Sequence, residues 1–270
     1  MSNINSQISF LNFTLEDVKF TINMWKLNIA DRYLGSALGV SWAVLNPLIM
    51  FALFTFVFGF VFKARLPGSD TTLAYSIWLV CGYGPWIANT EAIPASAQSI
   101  ISNAGLVKNL SFKTEILPIS AAFTGLIPLG VSLTFLLLLQ ILDGKGLSWM
   151  LIWLPAIIAT QFIFLAAIGL VLAPITTFIR DFGIALPNLL TMLLFATPIF
   201  YPITAMPSII ERFSYINPFY IISEAYRSIL LRQEPPNLTA LILMALISCG
   251  AFSIALGFFR RIKGFLPAAI

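Results

Sequence analysis

The stretch TTFIRDFGIALPNLL places a base beside an acid, Arg180 and Asp181, in a region that otherwise excludes charge. Asp, Glu, Lys and Arg are absent from 146 to 179 and again from 182 to 210. Such a pair is either a buried dyad that moves protons or a turn at a membrane surface. The apolar region is too long for one membrane-spanning helix of about 20 residues and suits two. We therefore predict a surface turn at Arg180 and Asp181, at the inner mouth of any pathway through the protein.

Residues that carry most enzyme chemistry are scarce elsewhere in the chain. There is no histidine, and the two cysteines, Cys81 and Cys249, lie in apolar stretches. A phosphate-binding loop of the form GxxxxGK[ST] is absent, because Gly144 and Lys145 lack its other elements. We predict no catalytic residue, no metal site and no cofactor bound by this chain, so any use of ATP requires a separate subunit.

The elements that would position these residues follow from composition. Apolar residues make up 59% of the 270 residues and charged residues only 10%, against about a quarter in soluble proteins. This composition predicts an all-α integral membrane protein that forms one domain over 1–270. Charge-free stretches long enough to span a membrane predict six transmembrane helices, at about 38–62, 72–90, 116–142, 150–178, 183–203 and 237–259.

Six crossings put both termini on one side of the membrane. The terminal side then carries nine basic residues: Lys19, Lys26, Arg32, Lys108, Lys113, Arg180, Arg260, Arg261 and Lys263. The other side carries six: Lys63, Arg65, Lys145, Arg212, Arg227 and Arg232. This bias indicates cytoplasmic termini. The net charge of +4 gives no support for a nucleic-acid partner and favours contact with anionic membrane lipid.

Three segments look too polar or too short to span. Apolar residues at steps of three and four over 12–33 predict an amphipathic helix in the membrane interface. The segment 91–115 is also amphipathic, and we interpret it either as a helix resting on the membrane or as a cytoplasmic docking helix for a partner. It is interrupted at Asn103 and Gly105, and Lys108, Lys113 and Glu115 are expected to face water.

The third segment, 204–234, is divided by prolines into two short helices and predicts a re-entrant hairpin on the outer side. Glu224 and Arg227 are three residues apart in its second helix and can pair along one face. The pair is either part of an external gate or a solvated surface pair.

Aromatic residues are the remaining signal, since the chain contains 24 Phe. Phe51, Phe54, Phe58 and Phe62 share one face of the first predicted span, and Trp42 and Phe56 lie elsewhere around the helix. Aromatic rings can stack on sugars as a chain slides past, and they also pack well against lipid and helices. The sequence alone leaves both roles open.

Four stretches together resemble a known family: 31–62, SNAGLVKNLSFKTEILP at 102–118, IRDFGIALPNLLTMLLFATPIFYPI at 179–203 and INPFYIISEAYRSILL at 216–231. They are similar to the membrane subunits of type-two ABC exporters, and most similar to the permeases that export O-antigen, related cell-surface polysaccharides or teichoic acids. The similarity extends in order over nearly the whole chain. Lys113 departs from it, because many relatives have proline after the aromatic residue at this point.

The resemblance implies a multi-pass protein of the inner (cytoplasmic) membrane. It would pair with a second copy of itself and with two nucleotide-binding ATPase subunits that hold ATP and Mg. A lipid-linked glycan would pass through a channel between the two copies. By position, the resemblance assigns channel lining to Trp42, Phe51, Phe54, Phe58, Phe200 and Tyr201. It assigns ATPase docking to Asn103, Gly105, Leu106 and Lys108, and the external gate to Glu224 and Arg227.

Two other functions stay open. An exporter of a drug or a small lipid would have the same architecture. A membrane enzyme of lipid-linked sugar metabolism would need acidic residues clustered at one membrane face, whereas the eleven acids of this chain are scattered. The sequence does not say which glycan is carried, or whether a terminal cap is recognised.

Overall fold

The computed structural model describes residues 13–63, 71–109, 112–144, 146, 148–203 and 206–270. All the regular secondary structure in these ranges is helical, which confirms the all-α prediction. The α-helices are α1 Leu15–Tyr33, α2 Trp42–Phe54, α3 Thr72–Ser102, α4 Ala104–Asn109, α5 Ile116–Ala122, α6 Leu126–Leu142, α7 Leu154–Phe178, α8 Arg180–Ala196, α9 Ser208–Ser214, α10 Pro218–Arg227, α11 Leu238–Ile262 and α12 Leu266–Ala269. Short 3₁₀ or π-helical turns extend several of them.

Four continuous helical runs are long and apolar enough to cross a membrane. Their mean hydropathies lie between 2.2 and 2.4, and they are Gly39–Val61, Ile116–Leu142, Trp149–Phe178 and Leu238–Ala269. They coincide with four of the six predicted spans, so the chain is a multi-pass membrane protein. The predicted span at 72–90 lies within α3, whereas the one at 183–203 begins in α8 and extends past its end.

α8 is shorter than the span predicted at 183–203. Its 17 residues extend over about 26 Å at 1.5 Å per residue, slightly less than a hydrocarbon core of about 30 Å. The helix ends at Ala196 because Thr197 precedes Pro198, and a residue before proline is driven out of the helical region. Thr197 accordingly has extended dihedrals, φ −95° and ψ 133°.

α3 is the central helix of the fold and packs against α5, α6, α7 and α10. Its 31 residues run without a break through the predicted span at 72–90 and into the predicted docking segment. Small residues allow this close packing: a Cβ added to Gly84 would lie 2.8 Å from Cβ of Ser132 in α6. α3 is therefore enclosed by protein along most of its length.

A buried polar network joins α3, α7 and α10. Gln161 Nε2 donates to the carbonyl of Pro85 at 3.0 Å and to Asn89 Oδ1 at 2.8 Å. Tyr226 Oη donates to Gln161 Oε1 at 2.9 Å. Buried polar groups are tolerated when they are hydrogen-bonded, so this network fixes the relative positions of three helices inside an apolar core.

α1 forms as predicted within 12–33 and begins at a capping box. Thr14 Oγ1 accepts from the Asp17 amide, and the Asp17 carboxylate accepts from the Thr14 amide. Trp25 Nε1 then donates to the carbonyl of Phe123 at 2.9 Å, which holds α1 against the α5–α6 junction. Part of its apolar face, including Leu15 and Ile22, is exposed.

Candidate functional site

Aromatic residues from three parts of the chain meet beside α3. We call Phe54, Phe58, Tyr83 and Phe200 the aromatic cluster. The ring of Phe200 stacks on Phe58 with centroids 5.1 Å apart and planes 13° apart, and it lies 4.7 Å from Phe54. Tyr83 contacts Phe54 edge-on at 4.7 Å. Phe54 and Phe58 are half-buried, so the cluster has an accessible side.

The other aromatic candidates lie in different surroundings. Phe51 is 1% exposed and stacks on Phe135 of α6, with centroids 5.7 Å apart and planes 4° apart. The Phe51 ring is therefore covered by protein in this structure, and its assignment to the channel lining stays a prediction. Tyr201 adjoins the cluster, and its hydroxyl donates to the carbonyl of Phe195 at 2.5 Å. Trp42 lines a small cavity of about 60 Å³ together with Arg32 and other residues of α1, α2 and α3.

The segment 197–201 presents Phe200 and Tyr201 and is held from both sides. Tyr75 Oη of α3 donates to the carbonyl of Phe200 at 3.1 Å, and Asn217 Nδ2 donates to Thr197 Oγ1 at 2.9 Å. Arg227 Nη1 donates to the Pro198 carbonyl at 3.1 Å and Nη2 to the Ile199 carbonyl at 2.8 Å. Side chains thus replace the helical hydrogen bonds that end with α8.

The predicted hairpin at 204–234 contains the two expected short helices, α9 and α10. Glu224 Oε2 lies 3.7 Å from Arg227 Nη1 and Glu224 Oε1 lies 2.7 Å from Arg232 Nη1. Arg227 is only 3% exposed. The pair therefore differs from a solvated surface pair, because its cation is buried against α3.

The predicted docking segment at 91–115 breaks at Asn103, one of the two positions that the sequence indicated, whereas Gly105 lies inside α4. α3 ends at Ser102, and Asn103 leaves the helical region with φ −109° and ψ 30° before α4 begins. Within α4, Gly105 and Lys108 are exposed, whereas Leu106 is half-buried against the neighbouring hydrophobic cluster. Lys108 Nζ donates to the main-chain oxygen of Ile270 at 2.9 Å.

Glu115 was expected to face water, and this prediction is wrong. Its side chain is 1% exposed, with Oε1 2.9 Å from Arg260 Nε and Oε2 3.6 Å from Lys263 Nζ. Two cations from the end of α11 compensate for the loss of hydration of the buried carboxylate. The ion pairs connect the docking segment to the C-terminal part of the chain.

The same segment is also joined to α1. Lys113 Nζ lies 2.5 Å from Asp17 Oδ2. The hydrogen bond from Lys113, followed by the one from the Thr14 amide, holds the pKa of Asp17 below its usual value. Arg32, near the end of α1, pairs with Glu91 of α3. Sequence inspection gave no signal for either pairing, since the partners are far apart along the chain.

The turn predicted at Arg180 and Asp181 is present. α7 ends at Phe178, Ile179 leaves the helical region with φ −127° and ψ 88°, and α8 starts at Arg180. Both charged side chains are exposed. Asp181 lies in the first turn of α8, where a negative charge interacts favourably with the helix N-terminus. The pair is therefore not a buried dyad.

Comparison with known proteins places this arrangement among transporters. A family model described as ABC-2 type transporter matches residues 19–231. The O-antigen export system permease protein RfbA of Myxococcus xanthus is 27% identical over 229 residues, which cover 84% of this chain and 86% of the relative. Two RfbA proteins of Klebsiella pneumoniae are 26% identical over 206 and 210 residues, covering 74% of this chain and 75% of each relative.

Proposed function

The chain belongs to the ABC-2 type transporter family, and on this premise we propose that it is the membrane subunit of a polysaccharide exporter. Its substrate is a lipid-linked glycan of the O-antigen kind, carried across the inner membrane. The observation that carries the proposal is the similarity to three O-antigen export permeases over three quarters or more of their length.

Energy for export comes from separate subunits in this proposal. The sequence has no phosphate-binding loop, so ATP and Mg bind to two nucleotide-binding subunits that associate with two copies of this chain. The docking segment and α1 form the contact surface for these subunits. Exposed Gly105 and Lys108 on α4 support this assignment, because they leave one side of α4 open to a partner.

The proposed topology has six spans, with both termini in the cytoplasm. Four are the apolar helical runs described above; the first part of α3 and α8 supply the other two. α8 is short by about 4 Å, a mismatch that a bilayer accommodates by local thinning at a modest cost. The charged turn at Arg180 and Asp181 then faces the cytoplasm, and the hairpin at 204–234 lies on the outer side.

In the proposed mechanism the glycan moves along the aromatic cluster between the two permease copies. Ring faces hold sugars by stacking without fixed directional bonds, so successive sugars can slide past. Phe54 and Phe58 are half-buried and present the accessible edge of the cluster. The hairpin, which contacts the 197–201 segment, controls the outer exit.

Deletion and complementation test this function. A strain that lacks the chain should lose surface polysaccharide and accumulate the lipid-linked glycan inside, and expression of the chain should restore the surface signal. Restoration should require the intact nucleotide-binding partner, so a partner variant that cannot hydrolyse ATP is the matched control. Normal surface polysaccharide in the deletion strain, together with new sensitivity to a drug, would instead identify a drug exporter.

A further inference from the structure

Arg227 occupies an unusual place for a cation. It lies at the end of α10, a helix with a buried apolar face, and its side chain is 3% exposed. A buried charge in an apolar protein is costly unless its hydrogen bonds are satisfied, and it then commonly marks a functional position. The groups that surround the guanidinium therefore indicate what Arg227 does.

Three kinds of contact hold the guanidinium. Nη1 and Nη2 donate to the carbonyls of Pro198 and Ile199 at 3.1 and 2.8 Å. The guanidinium carbon lies 4.1 Å from the centre of the Trp78 ring, a cation–π distance. Glu224 supplies the counter-charge at 3.7 Å. The planar fork of arginine fits two carbonyls and one ring face together, which a lysine ammonium does not.

Gly82 in α3 provides the space for this arrangement. A Cβ at this position would lie 2.5 Å from Nη2 and 3.0 Å from the guanidinium carbon of Arg227. Any larger side chain at Gly82 would therefore displace the guanidinium. The close approach couples α10 directly to the central helix.

The two carbonyls that Arg227 holds lie immediately before Phe200 and Tyr201. Phe200 stacks on Phe58 and also contacts Phe54. A movement of α10 that withdraws the guanidinium would remove two of the four side-chain hydrogen bonds that hold the 197–201 segment and would loosen the Phe200 ring. A continuous chain of contacts therefore connects the hairpin, through Arg227, to the aromatic cluster.

We propose that Arg227 is a positioning residue that fixes Phe200 and Tyr201 and makes the hairpin and the aromatic cluster move as one unit during export. The part of this proposal that concerns movement during export rests on the proposed function. Its structural part, that Arg227 fixes the 197–201 segment, stands on the contacts alone. Opening of the exit by the hairpin then also rearranges the stacking surface for the glycan.

The test uses the complete exporter in lipid nanodiscs, where a maleimide reaches both faces. The reporter is Ile203→Cys, next to the held segment, in a Cys249→Ser background; the remaining Cys81 is buried. Arg227→Lys keeps the charge but loses the fork, and Gly82→Ala displaces the fork while keeping Arg227. Arg232→Lys is the matched control, because Arg232 also pairs with Glu224 but is 40% exposed.

Arg227→Lys and Gly82→Ala should raise the labelling rate on the order of tenfold, since two charge-assisted hydrogen bonds to the segment are weakened. Arg232→Lys should label like the parent. In cells, the first two variants should also lower surface glycan at equal membrane abundance. A rate that stays at the parental value in both variants would overturn the proposal, as would undiminished export despite faster labelling.

Two further results would separate the positioning role of Arg227 from a folding role and from the proposed function. If both variants disappear from the membrane, Arg227 serves folding only, and the positioning role is refuted. If the parent chain fails to restore surface glycan in a deletion strain, the proposed function fails, while the labelling comparison still decides whether Arg227 fixes the segment.

Discussion

The two ends of the molecule differ in how far the cations of their ion pairs are exposed to solvent. At the docking end, formed by α4 and residues 112–115, ion pairs join the chain to α1 and to the end of α11. The basic partners there are open to solvent: Lys113, Arg260 and Lys263 are 35%, 26% and 41% exposed. At the hairpin end, formed by α10 and the 197–201 segment, the cation Arg227 is buried.

This difference predicts how easily the contacts at each end rearrange. Glu115 is itself buried, so its ion pairs are worth more than the about 0–1 kcal/mol of a solvated pair. The three basic partners can regain water when they leave their acids, so the contacts at the docking end are exchangeable. A buried cation that loses its partners costs about 3–5 kcal/mol, so the hairpin end keeps one geometry or changes it completely. The exchangeable ion pairs of the docking end suit a surface that must adapt to a partner. The buried cation of the hairpin end suits an exit that switches between two states.

The largest expected effect concerns the aromatic cluster. The double change Phe54→Leu with Phe58→Leu keeps most apolar volume but removes two ring faces. At about 1 kcal/mol per ring, the lower end of the range for aromatic stacking, the loss of two rings should lower export about thirtyfold. Surface glycan divided by membrane abundance measures this.

The matched control for the cluster is Phe51→Leu. Phe51 lies on the same helix but is buried against Phe135, so export per permease molecule should stay near the parental value. Phe51→Ala should instead lower abundance, because large-to-small core changes cost about 3–5 kcal/mol. Normal export by a well-expressed double Leu variant would rule out stacking as the role of Phe54 and Phe58.

The next largest effect is expected at the docking end. Lys108→Pro removes an amide from α4 and clashes with the preceding turn, at a cost of about 3 kcal/mol or more. We expect export to fall about tenfold, and less nucleotide-binding subunit to co-purify with the permease. Lys108→Ala is the control, because it loses the same ammonium and keeps the helix. Equal loss in both variants would show that the charge, and not the helix, is needed.

A smaller effect is expected for Glu115→Gln. The change leaves Arg260 and Lys263 without their acidic partner, but both cations reach solvent, so the loss of stability should be about 1–2 kcal/mol. Thermal unfolding of the purified permease should shift down by a few degrees, with little change in surface glycan. A loss of export without any shift in unfolding would give Glu115 a direct part in coupling.

The smallest effect is pH dependence at Asp17. Lys113 lowers the pKa of Asp17 in the folded protein. The ionised carboxylate therefore stabilises the fold at pH values above the usual pKa of Asp. That contribution is lost as pH falls through the lowered value. The protection of α1 from hydrogen exchange, relative to the intrinsic exchange rate at each pH, should therefore decrease below about pH 4 in the parent. In Lys113→Gln this step should be weaker; an identical pH profile would show that the contact is not maintained.

Hydropathy and turn chemistry predicted much of this fold from the sequence. Apolar runs marked the spans, prolines marked the two hairpin helices, and the break at Asn103 was visible. The end of α8 at Ala196 was missed because 183–203 is apolar throughout, although Pro198 could have indicated it.

The site was predicted only in part, because burial depends on partners that are distant in the chain. Glu115 is buried because of Arg260, 145 residues away. Periodicity put Phe51 and Phe54 on one face, but Phe135 of α6 decides which ring is covered. Tyr83 joins the aromatic cluster without any local pattern that marks it. Arg227 is buried because Gly82 leaves space beside Trp78.

Reconstitution with purified components tests whether the chain and a nucleotide-binding subunit together carry a glycan across a membrane. Vesicles containing the chain, its nucleotide-binding partner and the host's lipid-linked glycan are given ATP, and glycan that becomes protected from an external glycosidase is measured. We expect ATP-dependent protection that requires both subunits, with no ATP hydrolysis by this chain alone. ATP hydrolysis by the lone chain, or full ATPase activity of the complex without any movement of glycan, would contradict this expectation.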